Sequence, residues 1–221
     1  MSTEVAEEKV VEKKSEELFS KRRKKLISDP LNEDNPITIQ VLGICSALAI
    51  TIKMEPTIIM SLAVIFTMVF SNLLISLIRN YIPNRIRIIV QLAVVALFVT
   101  LVSEFLKAFN YPMYKVLGAF VGLIITNCIV MGRLEAFAMG NKPYDSILDG
   151  LGSGLGYAWI ILAVAFFREF LGSGSILNFK VFEALNIPYV TNGLMVDSIG
   201  AFMILAIIIW IQRTKTGYVE Q

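Results

Sequence analysis

The sequence contains no histidine. That removes the commonest general base and metal ligand, and with it Ser-His-Asp and Cys-His catalysis within the chain. Cysteine is nearly absent as well, with only Cys45 and Cys128. No glycine-rich fingerprint follows a strand, so no NADH or ATP site is expected here. Charged residues make up 17% of the chain, against about a quarter in a typical soluble domain. Nearly all of them lie in the first 35 residues or in short breaks between apolar runs. Nothing in the pattern points to nucleic acid.

What is present is apolar. Of 221 residues 56% are hydrophobic, and the mean hydropathy is +0.68. Such a chain cannot dissolve in water around one core and leaves no room for a soluble catalytic domain. The apolar segments lie near Ile37–Ile52, Thr57–Ile78, Ile86–Ala108, Val116–Met131, Ser146–Phe170 and Leu194–Ile211. A spanning helix needs about 20 residues. The first and fourth segments are short, contain Gly and end in polar clusters, a pattern that marks functional half-helices in transporter-like folds. The expected fold is an all-α polytopic membrane protein of six transmembrane helices. Residues 1–34 form a charged cytoplasmic tail, with the run Lys21-Arg22-Arg23-Lys24-Lys25, and residues 35–221 the six-helix membrane domain. No apolar stretch lies within the tail, so it is not read as a signal peptide. Asn32-Glu33-Asp34-Asn35-Pro36 reads as a helix start.

Arg79, Arg85, Arg87, Arg133, Lys142, Arg213 and Lys215 fall on the same side as the basic tail if the spans alternate. The other side holds Lys53, Lys107, Lys115, Arg168 and Lys180. This bias puts both termini in the cytoplasm.

A repeat is visible. Gly43-Ile44-Cys45-Ser46 parallels Thr126-Asn127-Cys128-Ile129, and each is followed by a longer span ending in Arg, at Ile78-Arg79-Asn80 and Phe167-Arg168-Glu169. Three spans separate the two Cys residues, so the halves face opposite ways as two inverted three-helix repeats. Cys45 and Cys128 then approach each other near the midplane. Two such thiols suit apolar packing, or, less readily, a disulfide. They also suit metal ligation, since a partner subunit with the same repeat would complete the four thiolates of a 2Fe–2S centre. Gly43, Thr126 and Asn127 sit beside them, as surroundings that tune a cluster or as packing residues. Glu104 is placed deep in the third span and Asp149 near the start of the fifth. Intramembrane acids are costly and often functional, and carboxylates suit sodium. The alternative is that both lie near the interface and cap helices or pair with Lys107 or an Arg. Arg79, Arg133 and Arg168 read as interfacial anchors or intersubunit salt bridges.

The stretches Asn35–Ala49, Ser76–Asn84 and Gly122–Arg133 resemble the D-subunit family of the bacterial sodium-translocating NADH:quinone reductase. Glu135–Met139, Asp149–Gly152, Gly154–Tyr157, Phe166–Glu169 and Asn192–Met195 carry the same resemblance, which runs from about residue 30 to the end. The charged tail is longer than the family leads one to expect. The resemblance implies a subunit of a six-subunit inner-membrane complex, a translocase that oxidises NADH, reduces quinone and exports sodium. It implies that Cys45 and Cys128 are ligands of a 2Fe–2S cluster shared with the homologous E subunit, the closest partner. Flavins, NADH and quinone would be held by other subunits, with membrane lipid around this one. The matching subunit of the Rnf-type ferredoxin:NAD oxidoreductase shares these features and is the nearer alternative. A non-redox inverted-repeat permease is the other, and a scaffold subunit the residual one. Reporter fusions check the orientation: a phosphatase active only outside the cytoplasm should be silent at either terminus, and activity at one end would overturn the positive-inside assignment.

Overall fold

The computed structural model describes residues 26–30, 35–173, 175–176, 179–180, 193 and 197–216. A helical turn at 26–30 and a second turn headed by Asn35 precede the short helix α1 (Ile44–Ile50). There follow α2 (Met54–Ile78), with a 3-10 turn at Arg79–Tyr81, and α3 (Arg87–Phe109). Next come α4 (Tyr111–Ile125), α5 (Cys128–Arg133) with a π-helical turn at Leu134–Ala138, and α6 (Pro143–Ser173). A pair of two-residue antiparallel strands, Ser175–Ile176 and Phe179–Lys180, leads on to α7 (Ser198–Thr216). Among the described residues, five helical segments are long and apolar enough to cross a membrane: Met54–Tyr81, Arg87–Phe109, Phe120–Ala138, Pro143–Gly172 and Ser198–Lys215. The protein is an all-α polytopic membrane protein. The basic run at 21–25, most of the tail, and the expected start of the last span at 194 lie outside the described residues.

Helix α6 is central because it alternates small residues. A Cβ added at Gly150 would meet the Asn72 side chain at 2.9 Å and the Met68 carbonyl at 3.3 Å, and one at Gly154 would meet Ile65. These two glycines seat α2. Gly152 and Gly156 lie against the N-terminal segment instead, where an added Cβ would come within 2.6 Å of the Leu26 carbonyl oxygen and 2.3 Å of that of Pro30. Close backbone approach of this kind is how helices associate where apolar burial gives no driving force. The packed part of the chain therefore begins by Leu26, ahead of the expected boundary at residue 35.

The first expected span, Ile37–Ile52, is not one continuous helix. Asn35 folds the chain into a turn, its Oδ1 accepting from the N–H groups of Ile37 and Thr38, while its Nδ2 donates to the Gly156 carbonyl at 3.1 Å. Val41 and Gly43 then adopt positive φ, 57° and 80°. Only Gly takes this conformation freely, so Val41 is strained. The seven-residue helix α1 starts after this break. The fourth span is broken as well: α4 stops at Ile125, and α5 restarts at Cys128 with Asn127 as its N-cap, Oδ1 to the Ile129 N–H at 3.3 Å. It extends further than Val116–Met131, because the helix resumes after the break.

A helix that ends inside an apolar layer leaves carbonyls without water to bind them. At the end of α1, Thr51 Oγ1 donates to the Ala47 carbonyl, Arg168 Nη1 to that of Leu48 at 3.0 Å, and Thr57 Oγ1 to that of Ile50. Arg168 is buried and also donates to Thr51 Oγ1. Its neighbour Glu169 accepts from the Met54 N–H at 2.7 Å, which caps the start of α2. In the bend between the π turn and α6, Ser76 Oγ of α2 and Arg79 Nη1 both donate to the Asn141 carbonyl. Arg79 and Arg168 thus each bond a backbone carbonyl contributed by the other half of the chain.

Two substitutions test this account. Arg168→Gln removes a buried donor from two acceptors and should cost about 2–3 kcal/mol, read as a lower thermal midpoint of the protein in detergent. Gly156→Val should force the N-terminal turn off α6, at a cost of about 1–3 kcal/mol. An unchanged midpoint in both would show that these contacts do not support the fold.

Candidate metal half-site and its surroundings

The two breaks meet. The backbone N–H of Gly43, in the first break, donates to Cys128 Sγ, in the second, at 2.8 Å. Cys45 and Cys128 each occupy the first turn of a helix that begins directly after a break. Cys45 is exposed and Cys128 partly so, and both thiols are free. Both lie within electrostatic reach of the Tyr157 hydroxyl.

A buried polar cluster backs the sulfur-bearing loops. Ser46 Oγ donates to the Gly43 carbonyl at 2.9 Å and is hydrogen-bonded to Tyr157 OH at 2.7 Å. Asn127 Nδ2 donates to Ser46 Oγ at 3.3 Å. Ser46, Asn127 and Tyr157 are all fully buried. Of the three residues expected around the Cys pair, Gly43 and Asn127 join this cluster. Thr126 is exposed at the break, where the following N–H, that of Asn127, bonds back to the Ile124 carbonyl.

Ser46 and Tyr157 were not among the expected site residues. The available signals were a Ser directly after Cys45 and a lone phenol inside an apolar, glycine-rich span, Gly154-Leu155-Gly156-Tyr157. Neither is decisive without the contact across 111 positions of sequence.

The two acids lie apart. Asp149 is buried and forms a two-point ion pair with Arg133, Nε to Oδ2 at 3.1 Å and Nη2 to Oδ1. Glu104 is not deep in the third span. It sits near the end of α3, exposed, with Lys107 Nζ at 3.8 Å from its carboxylate. Arg133, expected as an interfacial anchor, instead neutralises a buried acid. Glu135 on the π turn takes Arg87 and Gln91 of α3, the latter at 2.8 Å.

These residues fit half of an iron–sulfur site. Among the described residues no three His, Cys, Asp or Glu side chains are placed to hold a metal ion together. Two thiols, with one amide aimed at a sulfur and with Cys45 exposed, would suit a four-thiolate centre only if a second protein supplied two more thiolates. The amide–sulfur hydrogen bond is the outer contact such a centre uses.

A family profile described as Rnf-Nqr subunit, membrane protein, matches residues 23–209. The D subunit of the Na(+)-translocating NADH-quinone reductase of Pasteurella multocida is 53% identical over 205 residues, 91% of this chain and 99% of that protein. The D subunit of the same reductase from Photobacterium profundum is 51% identical over 196 residues, covering 88% of this chain and 93% of its own. That of Neisseria gonorrhoeae is 52% identical over 196 residues, with 88% and 94% covered. The chain belongs to the Rnf-Nqr family of membrane subunits.

Proposed function

We propose that this chain is the D-type subunit of a sodium-translocating NADH:quinone reductase in the bacterial inner membrane, and that Cys45 and Cys128 supply two of the four thiolates of a 2Fe–2S cluster shared with the homologous E subunit. The observation that carries this reading is the meeting of the two helix breaks, where the Gly43 N–H donates to Cys128 Sγ at 2.8 Å. Identities of 51%, 52% and 53% to subunits of that name support the assignment over the Rnf-type alternative. When bound, the cluster would accept and release single electrons between cofactors held by other subunits.

The chain's own residues supply position and environment. Asn127 and Gly43 set the two loops, and the buried Ser46–Tyr157 pair backs them. Val95, Val99, Ile129 and Val130 exclude water from the bundle behind them. None of these residues is asked to remove a proton or to bind NADH. The Arg79 and Arg168 contacts support two inverted three-helix repeats, the arrangement in which a central site is gated from either face.

Sodium passage would use carboxylates already matched to cations. Asp149 is held by Arg133 and Glu104 by Lys107, so each would exchange a protein cation for sodium, a hard ion that prefers oxygen ligands.

Purified complex tests both parts. Cys45→Ala and Cys128→Ala should each abolish one 2Fe–2S EPR signal and quinone reduction while flavin reduction by NADH continues. Unchanged iron and turnover would return both residues to simple packing. Asp149→Asn should raise the sodium concentration for half-maximal stimulation roughly tenfold, equivalent to about 1.4 kcal/mol. An unchanged sodium dependence there and in Glu104→Gln would remove the acids from the path.

A further inference from the structure

Tyr157 is fully buried halfway along α6. A phenol at that depth needs an acceptor, because an unpaired hydroxyl in an apolar interior is costly. Its partner is Ser46 Oγ at 2.7 Å. Ser46 Oγ lies 2.9 Å from the Gly43 carbonyl, to which it donates, and it accepts from Asn127 Nδ2. With the Ser46 proton on that carbonyl, the Tyr157 O–H donates to Ser46, and the three groups form one chain from phenol to Gly43.

Gly43 is gripped a second time by the same side chain. A Cβ built on it would lie 3.1 Å from Tyr157 Cε2, so the ring packs against the Gly43 α-carbon. The residue has φ of +80°. Its α-carbon lies against the ring and its carbonyl accepts from Ser46 Oγ and from the Ala47 N–H, and in this setting its N–H donates to Cys128 Sγ at 2.8 Å.

We infer that Tyr157 is a positioning residue that, through Ser46, aims the Gly43 amide at the Cys128 sulfur and thereby sets the reduction potential of the metal centre carried by the two cysteines. This rests on the cluster reading above. An N–H donor to a ligand sulfur draws charge from it and favours the state with one more electron. Loosening the donor makes that state harder to reach. The electron still comes from and passes to cofactors on other subunits; only the equilibrium of the step changes.

The test uses the purified complex with Tyr157→Phe, which keeps the ring and removes the hydroxyl, and Ser46→Ala, which cuts the chain at its middle. Iron content, an EPR-monitored redox titration and pulsed EPR of exchangeable protons in light and heavy water are read for each. The expected result is retained iron and a reduction equilibrium moved about tenfold toward the oxidised form, which for one electron is about 59 mV. The exchangeable proton nearest the cluster should couple more weakly in both variants. A wild-type potential and coupling in both variants would overturn the inference. Loss of iron from both would overturn it too, because the two residues would then hold the ligand loops together rather than aim one amide. Failure of the cluster reading itself is seen separately, as iron and EPR signals that survive Cys45→Ala and Cys128→Ala.

Discussion

Hydrocarbon offers no water to an unpaired peptide group, so a helix that stops inside the bilayer must be completed by other parts of the protein. This chain stops twice, at 41–43 and at 126–127. Much of the buried polar chemistry serves these breaks and the far ends of the short segments that follow them. Thr51, Thr57 and Arg168 occupy the carbonyls that α1 leaves open, and Ser76 and Arg79 hold the Asn141 carbonyl beyond α5. Asn35 and Asn127 cap the turns that lead into and out of the breaks. Without these partners each interruption would cost several kcal/mol, and a continuous helix would be the more stable choice.

The completing groups come from across the molecule. Arg168 on α6 joins Thr51 and Thr57 at the end of α1, and Arg79 after α2 holds the Asn141 carbonyl in the bend before α6. Each half thus lends a donor to the other. The glycines of α6 make this geometry reachable, with Gly150 and Gly154 seating α2 and Gly152 and Gly156 seating the N-terminal turn. What results is a packed frame around two loops, with Cys45 exposed and Cys128 partly buried.

Several of these features were legible in advance. The apolar runs, the short first and fourth segments, the Cys pair and the paralleled Arg79 and Arg168 are all local patterns of residue type and spacing. Other features were not. Glu104 looked deep in the third span, yet it lies near the end of α3, exposed and beside Lys107, which matches the alternative that it pairs with that lysine. Arg133 looked like an interfacial anchor or intersubunit salt bridge; it lies just ahead of the π turn and pairs within the chain with Asp149, the alternative in which that acid takes an Arg. Leu26–Pro30 looked like part of a solvated arm, yet the glycine face of α6 receives it.

By itself, the sequence determined that the protein lives in a membrane, roughly where most of its apolar spans lie, and that chemistry of the His-dependent kind is absent from this chain, because hydrophobicity, helical period and residue type are properties of neighbours along the chain. Tertiary structure alone decided that Gly43 would point its N–H at Cys128, that Tyr157 and Ser46 would stand behind it, and that each buried acid or carbonyl would meet its particular cation or donor. The Arg133–Asp149 pair joins residues 16 positions apart, and the Arg168–Leu48 contact joins residues 120 apart. Such pairings are chosen by which helix faces can approach closely enough to satisfy one another's polar groups, and no local pattern carries that information.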